Sequence, residues 1–111
     1  MLTLISMDDI HRLVKDGAIE HISALVSRDK TCVNSLEGGW TPLGIACQLG
    51  RADVVDVLVH AGVDVNRPVN GSWTPLYVAC MEGHLEVMLC LLKGMFNNTT
   101  EAILFFAFAL I

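Results

Sequence analysis

A nine-residue phrase occurs twice in this chain. GWTPLGIAC runs from Gly39 to Cys47 and SWTPLYVAC from Ser72 to Cys80, thirty-three positions later, with six of the nine letters shared. The same offset pairs Gly50 with Gly83 and Leu58 with Leu91; run backwards, it adds Gly17, Leu25 and Ile22. A fixed period of this length is the mark of stacked supersecondary units, none of which can bury its apolar side alone. The chain therefore reads as three units, two explicit and one degenerate.

Each unit reads as helix, tight turn, helix. Thr41 and Thr74 suit the N-cap, where a hydroxyl accepts a bond from an orphan first-turn N–H, and Pro42 and Pro75 then fall where a missing N–H costs nothing. Leu43, Ile45 and Ala46 begin a packing face, matched by Leu76, Val78 and Ala79. Gly50 and Gly83 are expected to close the first helices in the left-handed conformation. Second helices are expected over about Ala52–His60 and Leu85–Lys93, with stripes Val54, Val55, Val57, Leu58 and Val87, Met88, Cys90, Leu91. Gly38-Gly39 and Asn70-Gly71 are turn signals between units. The stretch from Asn34 to Thr41 is one residue shorter than that from Asn66 to Thr74, so the first hairpin is expected to be the tighter.

These phrases resemble ankyrin repeats, whose signature is Thr-Pro-Leu-His-x-Ala, then Gly-His, Leu-Leu and a closing Gly-Ala-Asp-Val-Asn. Trp73-Thr74-Pro75-Leu76, Ala79, Gly83-His84-Leu85-Glu86-Val87 and Leu91-Leu92 carry the early part, and Ala61-Gly62-Val63-Asp64-Val65-Asn66 the close; coverage is roughly Met7 to Lys93. The resemblance implies an all-α solenoid of helix-turn-helix units with short β-hairpin loops. The repeat domain is expected over 1–97, in units of about 1–34, 35–66 and 67–97, followed by an apolar tail over 98–111. Departures are plain. Gly44 and Tyr77 stand where the family has His, so the tie that His gives the Thr side chain is expected to be missing. Gly44 in a first turn should cost about 1 kcal/mol relative to alanine. The first unit lacks Thr-Pro-Leu and has Ser6, Asp8 and Asp9 as an acidic, capped start.

After Lys93 the register is lost. Ala102 to Ile111 carries no polar side chain, and Asn98 with Glu101 resembles a capping-box start. As a helix of about 15 Å this stretch spans only half a hydrocarbon core. Three readings stand: a capping helix over the last unit, a segment facing a partner or membrane, or an end introduced by splicing or truncation.

Composition narrows the function. Net charge is −5 and the seven Lys and Arg residues are scattered, which argues against a nucleic-acid partner. MLTLISMDDI has no basic leader, so a secretory signal is not expected and Asn-Gly-Ser and Asn-Asn-Thr are read as chance glycosylation patterns. Cys32, Cys47, Cys80 and Cys90 show no metal spacing and are read as reduced small core residues, Cys47 and Cys80 in one slot; the compartment expected is cytoplasmic, with the nucleus as alternative. His11, His21, His60 and His84 join no nucleophile or metal motif; His84 is read as structural and His21 as half-buried. No enzyme, cofactor, metal or small-molecule substrate is expected.

What remains is binding. The resemblance implies a protein partner held by hairpin tips and the concave first-helix face, through Glu37, Gly38, Trp40, Gln48 and Leu49 in one unit and Asn70, Gly71, Trp73, Met81 and Glu82 in the next. Trp40 and Trp73 are read either as hot spots or as packing across the junction between hairpins. The alternative functions are membrane association or self-assembly through Ala102–Ile111, or a truncated form of a longer repeat protein.

Overall fold

A computed structural model describes residues 7–95 and Leu104. Ser6, the Asn98–Glu101 capping box and all of Ala102–Ile111 save Leu104, which is helical and exposed, lie outside the described residues. Among the described residues six helices form three consecutive pairs: α1 (Met7–Asp16) with α2 (Ile19–Arg28), α3 (Pro42–Leu49) with α4 (Ala52–His60), and α5 (Pro75–Glu82) with α6 (Leu85–Met95). The first helices pack in the order α1, α3, α5 and the second in the order α2, α4, α6, so the pairs lean side by side in two layers.

The local chemistry repeats with the sequence. Thr41 Oγ1 accepts from Gly44 N at 3.0 Å and Thr74 Oγ1 from Tyr77 N at 3.2 Å, each followed by proline in the first turn. Gly17, Gly50 and Gly83 take φ of 71°, 75° and 76°, one left-handed residue per turn between paired helices. The core repeats as well. Ile22, Val55 and Met88 are buried, as are Leu25, Leu58 and Leu91. Each such side chain contributes roughly 1.5–3 kcal/mol by leaving water. They form one cluster that crosses all three pairs, which is why no pair can be removed without exposing its neighbour.

The hairpins differ as their lengths require. An antiparallel bridge joins Glu37 to Trp40 in the first and Val69 to Trp73 in the second, and among the described residues no longer strand forms. Gly38 and Gly39 both have positive φ, as a two-residue turn of this hand demands; Asn70 and Gly71 do the same in the longer loop. The hairpins are linked by Asn70 N donating to Gly39 O at 2.9 Å.

Some expectations change. Helix α6 runs through Gly94 to Met95 rather than stopping at Lys93. A Cβ on Gly94 would stand 2.7 Å from Val59 Cγ1, so the bare glycine lets α6 lie close against α4, and packing overrides its poor helix propensity. A 3-10 helix over Lys30–Asn34 was not foreseen; Asp29 caps it by accepting from Thr31 N, and it buries Cys32 and Val33. His21, expected half-buried, is exposed although it shares a register slot with the buried Val54 and Val87; α4 and α6 each have a preceding second helix packed beside them, and among the described residues α2 has none. Cys80, expected in the core like Cys47, is exposed: Cys47 lies beneath the next helix pair, and among the described residues none follows Cys80.

Candidate protein-binding surface

The first helices and the hairpins preceding them form one side of the stack. Trp40 sits half-buried against the core, while Trp73, its copy, is 46% exposed. Between the two indoles lies a cleft of about 90 Å³ lined by Trp40, Gln48, Trp73, Val78, Met81 and Glu82. A wider cleft of about 270 Å³ follows, lined by Lys15, Glu37, Trp40, Ile45, Gln48 and Leu49. Trp40 and Gln48 line both, so the two clefts adjoin on the first-helix side.

Seven of the ten residues named from sequence thus come together: Glu37, Trp40, Gln48, Leu49, Trp73, Met81 and Glu82. Asn70 and Gly71 line a separate cleft of about 400 Å³ with Leu36, Gly39, Arg67 and Pro68. Gly38 stands exposed at the tip of the first hairpin and lines none of these clefts. Leu49 and Met81 are 47% and 65% exposed, large apolar groups left in water without cover.

Charge along the groove is uneven. Lys15 Nζ donates to Glu37 Oε1 at 2.8 Å, and that hydrogen bond holds the Glu37 carboxyl below its ordinary range. The pair is exposed and screened, so its contribution to stability is small.

Two residues not named among the candidate binding residues also shape this side. His11 lies 33 positions before Gly44 and shares its slot. It is fully buried, and its Nε2 stands 3.1 Å from the carbonyl oxygen of Trp40. The repeat offset alone would have found it. In the same slot, a Cβ on Gly44 would overlap Val69 Cγ1, so the next hairpin seats its valine where a side chain would be. Tyr77 fills the slot once more and is 49% exposed. One register position therefore meets a carbonyl, a valine and water in turn.

On the opposite side, a cleft of about 410 Å³ is lined by Ser23, Val26, Ser27, Asp56, Val57, His60 and Ala61. His60 Nδ1 lies 3.4 Å from Asp56 Oδ1 and 2.8 Å from Asp56 O, on one exposed helix turn. Among the described residues no group of three His, Cys, Asp or Glu is placed to hold a metal ion.

Hairpin-linked helix pairs, stacked in register around a shared core, define a repeat solenoid. Residues 10–102 match the family of ankyrin repeats in three copies, and the chain belongs to that family. It is 38% identical over 61 residues to the human ankyrin repeat and SAM domain-containing protein 3, a match covering 54% of this chain and 9% of that protein. Against the human protein phosphatase 1 regulatory subunit 27 it is 36% identical over 55 residues, 50% of this chain and 36% of the relative. The chain thus spans well under half the length of either. Ankyrin repeats generally serve as protein–protein interaction modules, and the fold is a non-enzymatic one.

Proposed function

We propose that this chain is an adaptor module that holds one protein partner across its hairpin tips and first-helix face, through Trp40, Gln48, Leu49, Trp73, Met81 and Glu82. The observation that carries this reading is the pair of adjoining clefts with Leu49, Trp73 and Met81 about half exposed or more along them. Large apolar groups aligned on one surface favour a protein ligand, since their burial supplies the free energy of association. Glu37, Gly38, Asn70 and Gly71 form the hairpin margin of the same surface. One relative is, by its name, a regulatory subunit of a protein phosphatase, which supports a protein as the ligand. The thiols of Cys32 and Cys47, free and buried, support a reducing compartment such as the cytoplasm.

The test is affinity purification with quantitative mass spectrometry on three chains: unchanged, Trp73→Ala with Met81→Ser, and Glu20→Ala on the exposed side of α2. The expected result is a protein captured by the first and third chains and lost, at least tenfold, from the second. Circular dichroism of the second must match the unchanged chain. Equal capture by all three would remove the groove from the function.

A further inference from the structure

Asn34, Asn66 and Asn70 are the described asparagines, and all three are exposed. The main chain after each is held differently. Ser35 N donates to Cys32 O at 3.2 Å and Arg67 N to Asp64 O at 3.4 Å, so the amides that follow Asn34 and Asn66 are engaged. Gly71 N, which follows Asn70, donates to nothing among the described residues, and the Asn70 carboxamide has no hydrogen-bond partner among them either. Asn70 takes φ of 51° and Gly71 φ of 70°, at the tip of the second hairpin. A Cβ on Gly71 would meet no atom within 4 Å, so this nitrogen stands open beside a free carboxamide. Glycine adds no side chain to hinder its approach.

We propose that Asn70-Gly71 is a site of spontaneous covalent modification, where the chain closes to a succinimide and reopens as isoaspartate or aspartate. The Gly71 main-chain nitrogen gives its proton to solvent base and attacks Asn70 Cγ. The new N–Cγ bond forms as the Cγ–Nδ2 bond breaks, and the amide nitrogen takes a proton from water and leaves as ammonia. Water then adds to one of the two imide carbonyls. Opening at Cγ yields aspartate; opening at the Asn70 main-chain carbon yields isoaspartate, with the chain rerouted through the side-chain methylene. Nothing is oxidised or reduced. Both groups belong to one short ring closure, and an intramolecular attack of this kind gains orders of magnitude over a bimolecular one.

The product falls on a junction. Asn70 N donates to Gly39 O at 2.9 Å, its Oδ1 occupies the place a Cβ on Gly39 would take, and the Val69–Trp73 bridge closes the loop around it. Isoaspartate lengthens the main chain by one methylene there and sets a carboxylate in the cleft that Arg67 lines. The link between the two hairpins is therefore the contact that the modification loosens. The site needs no partner, so it stands or falls apart from the binding surface proposed above.

Peptide mapping of the full chain after incubation at mildly alkaline pH tests the proposal, with fragmentation that separates isoaspartate from aspartate. The expected result is conversion at Asn70 at least tenfold faster than at Asn34 or Asn66, with isoaspartate in excess. In concentrated guanidinium chloride, which frees Ser35 N and Arg67 N, Asn34 and Asn66 should accelerate more than Asn70 does. Gly71→Ala should slow conversion at Asn70 at least tenfold. The isoaspartate form, separated by ion exchange, should unfold at lower denaturant than Asn70→Asp, which carries the charge without the longer main chain. Conversion at Asn70 no faster than at the other two in the folded chain would overturn the proposal. So would an acceleration of Asn70 on unfolding equal to theirs, which would mean that the fold shields it.

Discussion

His84 Nε2 reaches back 36 residues to the main-chain oxygen of Gln48, 3.0 Å away. One period earlier Arg51 does the same, its Nη2 donating to Lys15 O at 2.6 Å, again across 36 residues. In each case a side chain opening one turn serves a carbonyl near the end of the preceding first helix, where four carbonyls lack helical partners. The repeat thus conserves a contact in space while changing the residue that makes it.

Removing that contact should destabilise the stack modestly. His84→Ala is expected to cost about 1 kcal/mol, the usual net value of a hydrogen bond, read as a lower urea midpoint at unchanged slope. Arg51→Ala should cost about the same. The double variant should give roughly the sum if the two junctions act separately.

Gly50 should be the least replaceable of the three glycines that join paired helices. Its φ is +75°, and a Cβ there would sit 2.7 Å from the His84 ring. Gly50→Ala therefore combines left-handed strain with a collision and should lose more than about 1 kcal/mol. Gly62→Ala, with positive φ but no atom within 4 Å, should lose less in the same denaturant titration.

Gly44 separates a local argument from a tertiary one. Helix propensity alone says Gly44→Ala should stabilise by about 1 kcal/mol. The seat of Val69 says the opposite, a loss of roughly 1–3 kcal/mol through overpacking. Val69→Ala should then partly rescue Gly44→Ala, a coupling that a double-mutant cycle measures directly. Stabilisation by Gly44→Ala alone would show that the second hairpin is free to move away.

Alkaline pH should weaken the fold through Cys47. Burial pushes this thiol from 9.0 to about 12. The folded thiol stays protonated where the unfolded one ionises, so its contribution is intact below about pH 9 and is lost as pH rises from there towards about 12. The slope is at most about 1.4 kcal/mol per pH unit. Cys47→Ala should flatten that limb of the stability curve, after allowance for the small cavity it opens. A thiol reagent at neutral pH should label Cys80 quickly and Cys47 only on unfolding.

The amino-acid sequence by itself determined the period, the helix starts at Pro42 and Pro75, the left-handed turns and the repeating apolar stripes. All of these follow from capping, backbone conformation and periodicity, which act within a few residues. Most of the groove residues were named through the resemblance to ankyrin repeats, and the offset of 33 carries one unit's surface onto the next. Tertiary structure decided what lies across the stack. It made Gly44 a seat for Val69 rather than a defect, turned Arg51 from a scattered cation into a clamp, carried α6 through Gly94, and left Cys80 open where Cys47 is closed. The physical reason is common to all four: each residue's environment is set by the facing helix pair, and no local rule records whether that neighbour is present or how closely it approaches.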